Sequence, residues 1–270
     1  MIDLHCHLLP GIDDGAPDLE TSLAMAKMAA ADGIKVVACT PHIMPGYYEN
    51  AGPQIRADVA RLQTRLDEAG IDLRLIAGAD VHLVADLVSG LQAGRIQTLG
   101  ASRYFLFEPP HHIAPPRMED AVFDVMTAGY HPILTHPERL TWIEAHYEVI
   151  KRIANAGAWM QITAGSVTGM FGKRPQYWSE RMLDEGLVHV LATDAHNLRR
   201  RVPVLSKAVE AVALRLGEDA ARDMVVTRPQ AVLDDAAPTS TPDTVAAPPR
   251  RDGFFEKILR MGGMVAGDPR

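Results

Sequence analysis

The sequence predicts an α/β fold whose parallel sheet closes into a barrel. Apolar runs rich in β-branched residues recur along the chain, and seven of them are candidate strands. Amphipathic segments with helical spacing separate these runs, and alternation of strands with helices is typical of a parallel sheet with helical crossovers. An open doubly wound sheet gives a similar pattern. The number of strands favours the barrel.

The candidate strands are largely apolar along their whole length, as expected when both faces of a strand are buried. In chain order they are "IDLHCH", "IKVVACT", "LRLIAGADV", "YFLFE", "HPILTH", "AWMQIT" and "VHVLATDAH".

The intervening helices are predicted at 18–32, 53–69, 116–128, 144–156 and 176–186. A glycine closes each of them, as expected for helix C-caps. These glycines are Gly33, Gly70, Gly129, Gly157 and Gly186.

Composition narrows the class of protein. The chain of 270 residues has a formal net charge of -7, which argues against a dedicated nucleic-acid binder despite the basic run "NLRRR" at 197–201. No apolar run near 18 residues and no signal-peptide pattern is visible, so we expect no stable membrane insertion and a cytoplasmic location. Cys6 and Cys39 are expected to be reduced there.

The domain organisation is predicted to be one barrel domain at 1–235 followed by a tail. Proline, alanine and threonine dominate 236–253, which is typical of an extended linker. The last segment, 254–270, is short and amphipathic, with Phe254, Phe255, Ile258 and Leu259 on one helical face. We expect this tail to be disordered, or to fold only against a partner, a membrane surface or the barrel.

Polar residues interrupt the apolar pattern at the carboxyl ends of the strands, where α/β barrels collect their catalytic residues. Six strands contribute imidazoles or carboxylates there, and such a buried cluster needs divalent metal ions to neutralise it. The side chains are His5, His7, His42, Asp80, Glu108, His136, Asp194 and His196.

The opening "HCH" allows either a nucleophilic cysteine or a pair of metal-binding histidines. Side chains alternate along a strand, so Cys6 faces away from His5 and His7. A cysteine phosphatase needs an arginine six positions after its nucleophile, but Ile12 follows Cys6 at that distance. The pattern therefore favours a metal pair.

The remaining histidines have no consistent placement at strand ends, and we expect them at the surface or in packing. They are His82, His111, His112, His131, His146 and His189. Of these, His111 and His112 could line the pocket from a loop.

Long stretches of the chain, including "MIDLHCHLLPGIDDG", "LFEPP", "LTHPER" and "ATDAHN", resemble the polymerase-and-histidinol-phosphatase (PHP) superfamily. Within it they resemble the CpsB/YwqE-type bacterial metal-dependent protein-tyrosine phosphatases of capsule and exopolysaccharide synthesis. The resemblance covers about residues 1–235 and implies a distorted (β/α)7 TIM-like barrel with three metal ions.

The resemblance also implies roles for individual residues. His5, His7, Asp80 and Asp194 would hold the first metal; Asp80, Glu108 and His136 the second; Asp14, His42 and His196 the third. Arg139 would bind phosphate, unless it forms a salt bridge to Glu138 or another carboxylate. Asp80 stands where the family usually has Glu. Ligands without thiolate suit Mn, Fe or Zn, and the resemblance favours Mn²⁺.

The function implied is hydrolysis of phosphotyrosine by a hydroxide that bridges metals, with His42 or His196 as possible proton donors. The expected substrate is the phosphorylated tyrosine-rich tail of a bacterial tyrosine kinase and polysaccharide co-polymerase. Three alternatives stay open: a phosphatase for a small metabolite such as histidinol phosphate, a metal-dependent hydrolase of other bonds, and a non-catalytic metal-binding regulator.

Overall fold

The structure is a computed structural model that describes residues 1–238. The rest of the predicted linker and the predicted tail at 254–270 lie outside the described residues. The strands are β1 Ile2–Cys6, β2 Val36–Cys39, β3 His42–Met44, β4 Tyr48–Glu49, β5 Arg74–Ala77, β6 Asp80–His82, β7 Tyr104–Glu108, β8 His131–Thr135, β9 Trp159–Thr163 and β10 Val190–Ala192. The α-helices are α1 Leu19–Ala31, α2 Gly52–Glu68, α3 Leu87–Gln92, α4 Met118–Thr127, α5 Ile143–Asn155, α6 Ala164–Val167, α7 Lys173–Asp184, α8 Ser206–Leu216, α9 Glu218–Arg222 and α10 Arg228–Leu233.

The strands form a distorted barrel with seven strand positions. The sheet β1-β2-β5 and the sheet β10-β9-β8-β7-β6-β3-β4 are parallel except for the β3–β4 hairpin. β1 and β10 close the ring, because Asp194 donates its backbone N–H to His5 at 2.8 Å and His7 donates to Ala195 at 2.8 Å. The predicted (β/α)7 barrel is confirmed.

The predicted strand "LRLIAGADV" is not continuous. It divides into β5 and β6 at Gly78, and β2 and β3 divide in the same way at Thr40 and Pro41. The pairs Cys39–Ala77 and His42–Asp80 have the same separation in sequence, so the register is kept across the interruption. Pro41 has no N–H for the ladder, and a Cβ on Gly78 would lie 2.9 Å from the Thr40 side chain.

The five predicted helices are confirmed as α1, α2, α4, α5 and α7, with ends that differ by up to three residues. All five glycines predicted as C-caps have positive φ, from +65° at Gly70 to +109° at Gly157. The short helices between β5 and β7 and after β10 were not predicted. No helix within residues 1–238 is long and apolar enough to cross a membrane.

Apolar side chains fill the amino-terminal half of the barrel interior, including Leu4, Ile76, Leu106, Ile133 and Val190. A second apolar layer joins the outer face of the sheet to the helices. The carboxyl-terminal half of the interior is left to polar side chains. They rest on a close-packed apolar base, which holds them in fixed positions.

Candidate metal centre

All nine predicted metal ligands gather at the carboxyl-terminal end of the barrel. Seven of them are buried, His42 is half-buried and Asp14 is exposed. Three sets have ligand atoms within 4.8 Å of one another: His7 with Asp14, His42 and His196; His5 with His7 and Asp80; and His42 with Asp80 and Glu108. The structure therefore brings together residues that lie nearly 200 positions apart in sequence.

The two histidines of β1 and its extension lie side by side. His5 Nε2 is 3.2 Å from His7 Nε2, and Asp194 Oδ1 is 3.3 Å from the first nitrogen and 3.4 Å from the second. Cys6 packs in the outer apolar layer instead. The predicted alternation of His5, Cys6 and His7 is confirmed.

Asp80 occupies the middle of the centre. Its Oδ2 lies 3.4 Å from His5 Nε2, 3.5 Å from His42 Nδ1 and 4.0 Å from His136 Nε2. Its other oxygen accepts a hydrogen bond from Thr135 at 3.4 Å. One carboxylate oxygen thus faces imidazoles from three strands, which is the position that a bridging ligand requires.

The outer part of the centre is formed by Asp14, His42 and His196. Asp14 Oδ1 lies 3.4 Å from His42 Nε2 and 3.2 Å from His196 Nε2. The other nitrogen of His42 is 3.3 Å from Glu108 Oε2. Glu108 Oε1 is 3.5 Å from His136 Nε2.

These spacings fit metal ions better than direct hydrogen bonds. Ligand atoms about 2.1 Å from a shared ion lie about 3.0–3.4 Å apart in octahedral or tetrahedral geometry. Several buried atoms of the centre have no hydrogen-bond partner among the described residues; they include His196 Nε2 and the pair His42 Nδ1 and Asp80 Oδ2, which lie 3.5 Å apart. Buried polar groups without partners are costly, so the donor set fits divalent cations.

Further residues orient the imidazoles. His7 Nδ1 is 2.8 Å from Asp13 Oδ2, and His5 Nδ1 is 2.8 Å from Gln161 Oε1. These acceptors place the proton on Nδ1 and leave Nε2 free to bind a metal, a common arrangement around metal-bound histidine. Asp13 and Gln161 were not predicted. Asp13 precedes Asp14 in "DDG", but Gln161 carries no signal in the sequence.

Two of the predicted ligands adopt backbone conformations that non-glycine residues rarely use. φ is +36° at His136 and +50° at Asp194. Buried neighbours hold both segments: Glu138 accepts hydrogen bonds from Thr163 and Ser166, and Asp3 accepts from Thr193 at 3.0 Å through the backbone N–H. Strained backbone at a site persists only when its surroundings impose it.

Two arginines contact Asp194 on the side away from the histidines. The guanidinium groups of Arg139 and Arg201 both bind Asp194 Oδ2. The carboxylate partner predicted as an alternative for Arg139 is thus Asp194, whereas Glu138 faces β9. Arg201 was not predicted as a site residue.

Several imidazoles of the centre fall into two groups, those whose pKa is raised by nearby carboxylates and those whose pKa is lowered by burial. Burial works against a charge on His5, but Asp80 and Asp194 outweigh it and raise the pKa to about 9. In the same way, Asp14 and Glu108 raise the pKa of His42 to about 11. Burial, with the charge of Arg139, lowers the pKa of His136 to about 3. Without metal, protons therefore compensate part of the negative charge.

His82 is the one histidine for which the prediction of a surface or packing role was wrong. Its Nε2 lies 2.8 Å from Glu108 Oε2, and its ring meets that of His42 edge-on. The signal was present, because His82 is two residues after Asp80 and so shares its strand face. His111 lies beside His136, with ring centroids 6.4 Å apart.

The other histidines lie away from the centre. His131 packs on Tyr104, His146 on Trp142, His189 on Trp159, and His112 on the neighbouring His111.

A polar centre of this composition at the carboxyl-terminal end of such a barrel defines a metal-dependent α/β-barrel hydrolase. Residues 1–234 match the family "Capsular polysaccharide synthesis, CpsB/CapC". The chain belongs to this family.

Similar proteins agree with that assignment. The tyrosine-protein phosphatase YwqE of Bacillus subtilis is 35% identical over 201 residues, which cover 74% of this chain and 79% of YwqE. The tyrosine-protein phosphatase CpsB of Streptococcus pneumoniae is 27% identical over 240 residues, covering 87% of this chain and 99% of CpsB.

Solved structures agree on the fold. A chain from the crystal structures of YwqE from Bacillus subtilis and CpsB from Streptococcus pneumoniae, described as unique metal-dependent tyrosine phosphatases, superposes with a TM-score of 0.84 at 31% identity, covering 88% of this chain and 96% of that one. A probable 2-pyrone-4,6-dicarboxylic acid hydrolase of Acinetobacter baumannii has a TM-score of 0.51 at 12% identity, covering 86% and 98%. The latter shows a shared fold alone.

Proposed function

We propose that this protein is a metal-dependent phosphatase that hydrolyses phosphotyrosine in proteins. The observation that carries the proposal is the convergence of nitrogen and oxygen ligands with two arginines at one end of the barrel. The likeness to YwqE and CpsB, both tyrosine-protein phosphatases, supports the same substrate class.

Three divalent ions would be held by the residues of the centre. His5, His7, Asp80 and Asp194 would bind the first, Asp80, Glu108 and His136 the second, and Asp14, His42 and His196 the third. We propose Mn²⁺, with Fe and Zn as alternatives, because the ligands are imidazoles and carboxylates and the thiol of Cys6 faces the outer layer. Such ions supply positive charge to the phosphoryl oxygens and lower the pKa of water toward neutrality.

Arg139 and Arg201 would bind the non-bridging oxygens of the phosphoryl group. The planar guanidinium matches phosphate geometry and presents several donors at once. Their side chains are 20% and 23% exposed, whereas the Asp194 carboxylate between them is buried. A phosphate entering from solvent can thus reach both arginines while Asp194 keeps them in place.

The leaving group makes a modest demand on acid catalysis. The phenol of tyrosine has a pKa of about 10, so its phenolate leaves comparatively easily. His42 or His196 is proposed to assist the departure of the phenolate. The side chain of His42 is 13% exposed and that of His196 only 2%, so His42 lies nearer to the solvent from which substrate enters.

For the physiological substrate we propose the phosphorylated, tyrosine-rich tail of a bacterial tyrosine kinase and polysaccharide co-polymerase, in the cytoplasm. The family's place in capsular polysaccharide synthesis supports this partner. A flexible tail could present its phosphotyrosine to the barrel end without rearrangement of a folded partner.

Metal analysis followed by an activity assay tests the proposal. Protein purified without chelator should contain up to one metal ion for each of the three ligand sets proposed above and should hydrolyse a phosphotyrosine peptide faster than histidinol phosphate. His5→Ala should lose metal and activity together, whereas His131→Ala, at the opposite end of the barrel, should keep both. Preference for histidinol phosphate would assign the site to small metabolites, and absence of turnover with Mn²⁺ added would contradict catalysis altogether.

A further inference from the structure

The loop that follows His196 carries three consecutive arginines, and the last of them, Arg201, contacts the centre. Asn197 Oδ1 accepts backbone hydrogen bonds from Arg199, Arg200 and Arg201 at 2.9–3.2 Å. The backbone N–H groups of His196 and Asn197 both bind the carbonyl of Arg201. The chain therefore makes a tight turn whose base is fixed to the metal centre.

The three arginines of this turn have different surroundings. Arg201 binds Asp194 and lies 4.0 Å from Asp14, so its charge is compensated. Arg199 and Arg200 are exposed, and neither forms a salt bridge with any carboxylate among residues 1–238. The chain as a whole carries a formal charge of -7, so this pair of arginines is a positively charged site on an acidic protein.

The distances suit a peptide that enters the centre. Consecutive Cα atoms are 3.8 Å apart, so the Cα of Arg199 lies within about 8 Å of that of Arg201, and its side chain extends about 6 Å further. An extended peptide advances about 3.3 Å per residue. With its phosphoryl group between Arg139 and Arg201, residues about two to four positions from the phosphotyrosine come within reach.

We propose that Arg199 and Arg200 form a subsite for acidic residues that flank the phosphotyrosine of the substrate, an inference that rests on the proposed phosphatase function. Uncompensated arginines favour carboxylates by charge and by their paired donors. A membrane surface fits less well, since recognition of anionic lipid usually takes clusters of four to eight basic residues and the chain as a whole is acidic, with a formal charge of -7.

The test uses three phosphotyrosine peptides that differ only in their flanking residues, which are Glu, Gln or Lys. The Mn²⁺-loaded full chain should show the highest kcat/KM on the Glu peptide and the lowest on the Lys peptide, and the difference should shrink with added salt. In Arg199→Glu/Arg200→Glu the value on the Glu peptide should fall about tenfold, as expected for a few exposed charge pairs, while that on the Lys peptide rises. Turnover of p-nitrophenyl phosphate, which has no flanking residues, should change less than threefold.

Arg74→Glu/Lys207→Glu is the matched control. This variant changes the net charge by the same amount. Arg74 is the first residue of β5, and Lys207 follows Ser206, whose hydroxyl binds Asp32 at the carboxyl-terminal end of α1. Both lie at the opposite end of the barrel, so the peptide preference should remain. Equal losses on all three peptides, or the same loss in the control, would overturn the subsite.

A binding measurement separates this inference from the proposed function. The same peptides, made with a non-hydrolysable phosphonate, should bind the wild type with a Kd that depends on the flanks, and Arg199→Glu/Arg200→Glu should abolish the dependence. If no peptide is hydrolysed, the phosphatase proposal fails while these Kd values still decide the subsite. Uniform Kd values, together with phosphatidylserine-vesicle binding that requires the two arginines, would assign the surface to membranes instead.

Discussion

Replacing Asp13 by Asn should weaken metal binding without removing a ligand. The Asp13 side chain is 1% exposed and makes three contacts: Oδ2 accepts from His7 Nδ1 at 2.8 Å and from the backbone of His42 at 3.2 Å, and Oδ1 accepts from the backbone of Gly15 at 2.9 Å. Burial disfavours its charge, but the hydrogen bond to His7 outweighs burial and keeps the pKa below its usual value. Asp13 is therefore an anion that orients two of the predicted ligands, His7 and His42.

The magnitude follows from counting acceptors. Asparagine has one oxygen acceptor and one NH₂ donor in place of the two carboxylate oxygens. In one orientation of the amide the NH₂ group meets the N–H donors of His7 and His42, and in the other it meets the N–H donor of Gly15. The less costly orientation, with the NH₂ group toward Gly15, still loses one hydrogen bond and the negative charge of the acceptor. This loss amounts to about 1.5–3 kcal/mol of interaction free energy. That corresponds to a rise in the Kd for Mn²⁺ of about 10- to 100-fold, the usual effect of altering a residue that supports a ligand.

Competition with a fluorescent chelator measures this Kd directly, and thermal unfolding of the metal-free protein shows whether the fold is intact. Asp72→Asn is the matched control, because Asp72 is 90% exposed and pairs with Lys35 on the surface. Unchanged Mn²⁺ affinity in Asp13→Asn, with a normally folded protein, would refute the role assigned to Asp13 in orienting His7.

Four further outcomes are expected. Asp80→Ala should nearly abolish activity and metal content, whereas Asp80→Glu should retain some activity and bind metal more tightly, since Glu adds about 1.5 Å of reach; full metal content in the alanine variant would show that Asp80 is no bridge. Cys6→Ser should keep most of its kcat, because the thiol packs in the outer apolar layer, and loss of turnover with metals still bound would contradict the metal mechanism. The affinity for Mn²⁺ should rise between pH 6 and pH 8, because His5 and His42, with pKa values raised to about 9 and about 11, must release protons when they bind metal. Calorimetry in buffers of different ionisation enthalpy measures this proton release, and binding of Mn²⁺ without proton release would contradict the prediction. Truncation after Pro238 should leave melting temperature and aryl phosphatase activity unchanged, because it keeps the Ala236 carbonyl that accepts from Tyr104 Oη at 2.8 Å; loss of folding would place the tail in the core.

The barrel and most residues of its centre could be predicted from local sequence patterns. Strand periodicity, helices ended by glycine and polar residues at strand ends are all local features, and parallel strands necessarily bring their carboxyl ends to one edge. Gly78 shows the limit of this approach. A strand interrupted in register has nearly the same composition as a continuous one, so "LRLIAGADV" was predicted as a single strand.

The residues that contact the predicted ligands could not all be predicted in this way. Gln161 meets His5 across the closed barrel, and nothing near it in sequence distinguishes it from ordinary polar residues. Arg201 meets Asp194 within one tight turn, but the basic run at 197–201 does not show which of its arginines makes that contact. His82 is a different case, since its spacing from Asp80 already placed it on the same strand face.

The sequence by itself determined that strands alternate with helices, that Cys6 faces away from His5 and His7, and that imidazoles and carboxylates gather at one end of the barrel. These follow from side-chain periodicity and from the chemistry of each residue. Only the tertiary structure decided which of the predicted ligand atoms lie within a few ångströms of one another, that Asp80 Oδ2 faces three imidazoles, and that Asp194 divides its two oxygens between histidines and arginines. Those relations depend on distances of a few ångströms between residues far apart in the chain, and packing of the whole barrel sets such distances.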